Sequence, residues 1–153
     1  MSCLRFITRR FSTQITWDDT VPFIPPIRRV RVIKVYDGDT ITIASRLPMK
    51  GSEIYRWSVR LRGIDCPELK SRNIGEKACA EKAQAFLSNL ILGKKVLLKN
   101  IGRDKYGRLL ADVYHQNKNL SRVMLNNYLA VEYDGGKKES VDWLELFKQS
   151  PGL

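Results

Sequence analysis

The chain reads as a mainly β protein with helices, a five-stranded Greek-key barrel of the OB type carrying about three helices. Three observations predict this. Two β-branched segments flank an Asp-Gly turn near residue 38, the apolar period switches to helical spacing between Gly75 and Leu92, and strand-like patterning then returns. At 153 residues the chain has room for one hydrophobic core and not for two ordinary domains. Residues 28–148 form the expected domain, preceded by a segment over 1–27 and followed by a tail over 149–153.

Each element follows from local chemistry. Arg29 to Tyr36 gives a first strand on Val30, Val32 and Val35. The DGD turn leads into TITIAS, a β-branched second strand. LPMKGSE is an exposed loop, and Ile54 to Ile64 is the third strand. From Gly75 to Leu92, residues Cys79, Ala83, Phe86, Leu87 and Leu90 share one helical face, with Gly93 just past its end. Strands return at Lys95 to Leu98 and at Arg108 to Tyr114. Asn119 is placed to cap a second helix bearing Leu120, Val123, Met124 and Tyr128, and Ser140 a third with Trp143, Leu144 and Phe147. A third helix so near the chain's end is held by the packing of Trp143 and Phe147.

A hydrophobic fraction of 43% with 28% charged residues argues against disorder, and no apolar run approaches the ~20 residues of a spanning helix. The net charge of +11 attracts polyanions, so nucleic acid is the first partner to consider. A basic protein of the membrane surface is another reading of the charge, and it predicts none of the motifs below. Cys3, Cys66 and Cys79 lack CxxC spacing and His115 has no histidine companion, which argues against structural zinc and for reduced thiols. A metal here would be held by carboxylates. Residues 1–17 carry Arg5, Arg9 and Arg10 with Leu4, Ile7 and Phe11 at helical spacing, the composition of a mitochondrial transit peptide. The alternative is a disordered basic arm on a cytosolic or nuclear protein. Pro22, Pro25 and Pro26 make the following stretch an extended linker.

Three charged clusters stand beside glycine or proline at strand ends: YDGDT (36–40), RLRGIDCPE (60–68) and DKYGR (104–108). Taken singly, turn chemistry explains each. Together they offer the groups that phosphodiester hydrolysis requires: carboxylates for a hard cation and for a water, and guanidiniums matched to phosphate oxygens. Asp39, Asp65, Glu68, Arg60 and Arg108 fill those roles. Strict strand alternation sets Arg60 and Asp65 on opposite faces, so one site can use both only if the strand bulges near Gly63 or ends before Asp65.

In this order, and with GEKACAEKAQAF between the second and third, the clusters resemble the staphylococcal nuclease (thermonuclease) family over about residues 28–136. The resemblance implies a monomeric OB barrel with three helices and a calcium-dependent nuclease that cuts DNA and RNA with little sequence specificity, single-stranded or frayed substrates preferred, leaving 3′-phosphate ends. It assigns Ca2+ to the carboxylates of Asp39 and Asp65 and the backbone carbonyl of Cys66, and phosphate binding to Arg60 and Arg108. Glu68 is the implied general base. Lys105 and Tyr106 contact a terminal phosphate, Tyr133 stacks near the nucleotide, and Asp37 and Thr40 stand beside the metal without touching it. Cys66 replaces the threonine of the best-known pattern, a change a carbonyl ligand tolerates, and its thiol reads as a small buried hydrophobe. The loop between Thr40 and Arg60 is longer than the family's shortest version. A barrel of this kind can also serve as an inactive nucleic-acid or protein binding module, which has no need of all five charged residues.

Overall fold

Alternation of buried and more exposed residues along the long strands, interrupted in β1 and β5, builds a closed barrel, seen in a computed structural model that describes residues 14–151. The basic segment with Arg5, Arg9 and Arg10, read above as an address or an arm, lies outside the described residues, as do Gly152 and Leu153. A short 3-10 turn at Trp17–Asp19 precedes β1 (Arg29–Val35), β2 (Thr40–Arg46), β3 (Ile54–Leu61), β4 (Ile64–Asp65), α1 (Ile74–Ile91), β5 (Lys95–Arg103), β6 (Leu109–His115), β7 (Lys118–Asn119), α2 (Leu120–Asn126), β8 (Val131–Glu132) and α3 (Trp143–Phe147).

The five long strands run β3-β2-β1-β5-β6 as antiparallel neighbours. Parallel pairing of β3 with β6, through Val59 with Leu109, Arg60 with Leu110 and Leu61 with Ala111, closes the barrel. This is the five-stranded mixed barrel with helices that the element order predicts. Val32, Ile41, Ile43, Val59, Leu61 and Val113 fill it, and α1 delivers Ala83, Leu87 and Ile91 to the same core. The core also takes in Ile27, just ahead of β1. Among the described residues no helix is long and apolar enough to cross a membrane.

Several boundaries differ from expectation, each for a physical reason. The segment from Ile54 to Ile64 is divided: β3 ends at Leu61, Gly63 turns with φ +84°, and β4 pairs with β8 instead. The strand thus ends before Asp65, one of the two ways in which Arg60 and Asp65 can share a site. β5 runs on past Leu98 to Arg103, because a bulge at Lys99–Gly102, with Asn100 at φ +50°, breaks the alternation by which a strand is recognised. α1 starts at Ile74, where the Asn73 side chain accepts from the Glu76 amide at 3.0 Å. α2 stops at Asn126, so Tyr128 lies beyond it at φ +56°. The cap of α3 is Asp142 and not Ser140: the Asp142 carboxylate accepts from the Glu145 amide at 3.0 Å.

The turn between β1 and β2 is fixed by a close approach. A Cβ added at Gly38 would meet the Ala83 Cβ and the Cys66 Sγ, each at 2.9 Å, so this turn lies directly on α1 and on the segment after β4. Gly38→Ala should therefore lower the unfolding free energy by about 1–3 kcal/mol through overpacking, read as a shifted urea midpoint at unchanged slope. An unchanged midpoint would show that the contact yields freely.

Candidate active site

Three turns at the barrel's edge carry the charged groups. In the first, Asp37 accepts from the Asp39 amide at 3.3 Å, while the Asp39 carbonyl accepts from the Leu61 amide at 2.8 Å and so joins the turn to the end of β3. The register pairs Thr40 with Arg60, which sets Arg60 beside Asp39. The turn at Gly63 then returns the chain so that β4 presents Asp65 to the same guanidinium. Beyond it, the loop bearing Glu68 is pinned by Glu76 of α1, which accepts from the Glu68 amide at 3.2 Å and from the Ser71 hydroxyl at 2.6 Å. In the third turn, Asp104 accepts from the amides of Tyr106 and Arg108, both at 2.9 Å, and from Arg108 Nε at 2.7 Å.

Arg60 is the hub. Its Nη1 lies 2.5 Å from Asp39 Oδ2, its Nη2 lies 2.9 Å from Asp65 Oδ1, and it also donates to the Ile64 carbonyl at 3.1 Å. Its guanidinium stands 5.8 Å over the Tyr133 ring, whose amide is tied to the Gly63 carbonyl. Burial raises the Asp39 carboxyl to about 7, and the Asp37 charge adds to the rise, while Arg60 and the Thr40 hydroxyl act against it. Burial alone would lower Arg60, yet the carboxylates of Asp39 and Asp65 outweigh it and raise its pKa. Burial also pushes the Cys66 thiol well above its ordinary value, so the group is a neutral part of the core.

One cavity of about 330 Å³ is lined by Asp37, Asp39, Arg60, Asp65, Cys66, Glu68, Lys105, Tyr106, Arg108 and Tyr133. The structure thus brings together ten of the eleven residues singled out in the sequence. Thr40, the eleventh, is buried behind the cavity, where its hydroxyl donates to Asp39 Oδ1 at 2.8 Å. Arg108 is held on Asp104 and stands 5.6 Å from the Tyr106 ring centre; Tyr106 itself is 72% exposed. Burial would raise the Asp104 carboxyl, but its bonds to Arg108 and to the two amides outweigh burial and lower it.

The sequence reading missed Lys138. Its ammonium lies 3.0 Å from Asp65 Oδ1 and 2.8 Å from Glu68 Oε1, in the segment between β8 and α3. The only local signal is the basic pair that follows Gly135 and Gly136, which does not say which carboxylates it meets. Tyr36 and Lys70 also line the cavity and were not singled out. Chemically, the arrangement offers two nearly buried carboxylates, a third at the rim and several cations, all facing one space that a phosphate could fill.

Comparison with known proteins gives a consistent picture. The family model described as "Staphylococcal nuclease homologue" matches residues 58–149. An "Uncharacterized endonuclease" of Haemophilus influenzae is 39% identical over 103 residues, which are 67% of this chain and 51% of the relative. "Probable endonuclease LCL3" of Saccharomyces cerevisiae is 39% identical over 82 residues, 50% of this chain and 30% of the relative. The protein of the same name from Phaeosphaeria nodorum is 33% identical over 98 residues, 61% and 33% of the two chains. The chain therefore spans about half the length of the bacterial relative and about a third of the fungal ones.

The Lys138 contact can be tested without reference to any relative. Its hydrogen bond and charge hold the Glu68 carboxyl below the ordinary value of 4.5. A depressed pKa contributes stability that is present above 4.5 and lost as pH falls through the folded value. Lys138→Ala should move the Glu68 midpoint up towards 4.5 in a carboxyl-resolved NMR titration. A midpoint that stays where it is in the parent chain would show that the ion pair does not form in solution.

Proposed function

We propose that this chain, which belongs to the staphylococcal nuclease homologue family, is a calcium-dependent nuclease that hydrolyses DNA and RNA with little regard for sequence and leaves 3′-phosphate ends. The observation that carries the reading is the convergence of Asp39, Asp65, Glu68, Arg60 and Arg108, from three separated turns, on a single cavity. The names of the relatives, endonucleases in each case, support it.

The donor set fits a hard divalent cation. Asp39 and Asp65 supply nearly buried carboxylate oxygens, and the Cys66 carbonyl is the third ligand we assign. Two carboxylates and one carbonyl leave further positions for water and phosphate oxygens, which suits a hard cation. When bound, the ion supplies charge neutralisation at the phosphate and a lowered pKa for water.

The chain's own residues do the rest. Arg60 and Arg108 exchange their carboxylate partners for phosphate oxygens and tighten on the extra charge of the five-coordinate transition state. Glu68, at the rim, orients a water for in-line attack on phosphorus and takes its proton. The water oxygen bonds to phosphorus as the bond to the 5′ oxygen breaks, and that oxygen leaves with the electron pair and takes a proton from solvent, leaving phosphate on the 3′ side. Lys105 and Tyr106 hold the terminal phosphate, and Tyr133 stacks beside the nucleotide. Asp37 and Thr40 keep Asp39 in place through the turn amide and the hydroxyl bond. No base edge is read, so specificity is for backbone and single strand rather than sequence. We assign this activity to residues 28–148, acting as a monomer.

Incubating the full chain with single-stranded DNA and with RNA, in calcium and in EDTA, tests the proposal. Cleavage should require calcium and yield ends that a 3′-phosphatase can open to a polymerase. Cleavage that survives EDTA, or binding without cleavage, would sink it, and the second outcome would assign the barrel to the binding modules. Arg108→Ala should lower turnover by about 10²–10³-fold while the chain stays folded. Activity within a few-fold of the parent would remove Arg108 from its assigned role.

A further inference from the structure

Much of the positive charge lies outside the cavity, and part of it has an ordered arrangement. Along β3, Val59 and Leu61 point into the core, which leaves Arg56, Ser58 and Arg60 on the opposite face. The register extends that face across the sheet: Thr40 pairs with Arg60, Thr42 with Ser58 and Lys34, and Ala44 with Arg56 and Arg31. Arg31 in turn pairs with Lys95 of β5. One row thus reads Lys95, Arg31, Ala44, Arg56 across four strands, and the next, nearer the cavity, reads Lys34, Thr42, Ser58. The third row, Thr40 and Arg60, is already the site.

Arg31, Lys34, Arg56 and Lys95 are exposed, and no Asp or Glu occupies these rows. None of the four forms an ion pair with a described residue, whereas Arg60, Arg62, Arg108, Lys138 and Lys148 all do. The floor between them, Ala44, Thr42 and Ser58, is made of small side chains, so the four cations border a shallow strip; Arg31 donates to the Gly93 carbonyl at 2.8 Å and Lys34 stands 5.6 Å over the Tyr36 ring, neither contact offsetting its charge with a carboxylate. Outward residues on a strand follow one another at about 6.6–6.8 Å, which puts Arg56 about 13 Å along β3 from Arg60.

We propose that the outer face of β1, β2, β3 and β5 is a second binding surface, which holds by its phosphates the single strand of nucleic acid that runs on from the catalytic cavity. Four uncompensated cations suit a polyanion, and the unbroken run of β3 from Arg56 to Arg60 selects nucleic acid over an anionic membrane. The surface supplies affinity and orientation for long substrates and makes no contact with the scissile bond. The proposal rests on the nuclease reading for what occupies the cavity, and on the sheet register alone for the surface.

The test uses the full chain in EDTA and a labelled single strand of about 30 nucleotides, longer than the roughly 4–16 that one such barrel tracks, beside a labelled dinucleotide. Lys34→Gln, Arg56→Gln and Lys95→Gln are combined in one variant. A control removes equal charge from exposed positions elsewhere with Lys77→Gln, Lys82→Gln and Lys118→Gln. The sheet variant should bind the long strand at least about tenfold more weakly, with the slope of log affinity against log salt shallower by about 0.7 for each cation removed. Its dinucleotide binding and thermal midpoint should match the parent, and the control should lose clearly less affinity for the long strand. Unchanged long-strand affinity, equal loss in both variants, or equal loss for long and short ligands would each overturn the surface. So would a sheet variant that keeps the long strand and loses phosphatidylserine vesicles, which would make it a membrane face. A parent that shows the predicted binding pattern yet cuts nothing in calcium retires the nuclease reading and keeps the surface.

Discussion

A guanidinium shared between two nearly buried carboxylates holds the functional end of this barrel together. Arg60 reaches Asp39 on the turn between β1 and β2 and Asp65 on β4, segments that its own strand lies between in sequence. Burial, with the Asp37 charge adding to it, raises the Asp39 carboxyl to about 7 even with Arg60 present. The barrel determines where this hub sits. Antiparallel register sets Arg60 opposite Thr40, and parallel register sets it beside Leu110, so the turn with Lys105 and Arg108 arrives at the same place.

Buried cations and carboxylates of this kind contribute little to stability unless each oxygen and each N–H finds a partner. Here Thr40 takes one oxygen of Asp39, the Ile64 carbonyl takes a further donor of Arg60, and Lys138 shares Asp65. The result is a cluster satisfied from within the chain. The Cys66 thiol, buried against Gly38, closes the floor beneath it as an apolar atom.

The fold was legible where β-branched or helix-face residues were dense enough to mark an element, even across the irregularity of β1 between Val32 and Lys34. Val30, Val32 and Val35, TITIAS and the face of Ala83 and Leu87 each named their own element, and the order of elements gave the barrel. Legibility failed where the backbone left the regular path. β5 continues through a bulge at a left-handed Asn100, and α3 takes its cap from an aspartate two residues past the serine that looked equivalent. In the site, residues inside compact clusters could be read because turn chemistry and charge fall within a few positions. Lys138 could not: it meets a glutamate 70 residues away, across a segment with no periodicity, and local spacing does not encode such a pair. That Asp65 needed a strand broken near Gly63 or ended early to join Arg60 was legible; that pairing with β8 would take up Asp65 was not.

The parallel seam between β3 and β6 has a consequence for when the protein becomes capable of chemistry. Its partners are 50 residues apart, and the strand from β6 lies on the far side of α1 and β5. Loop closure over such a span is a late and entropically costly event in a folding chain. Until it occurs, Arg108 and Lys105 have no fixed relation to Arg60 and the two aspartates. A chain emerging from synthesis therefore carries every candidate side chain before the full cavity exists. On the proposed nuclease reading, the seam is the contact that completes the site, and the chain is inert until it closes.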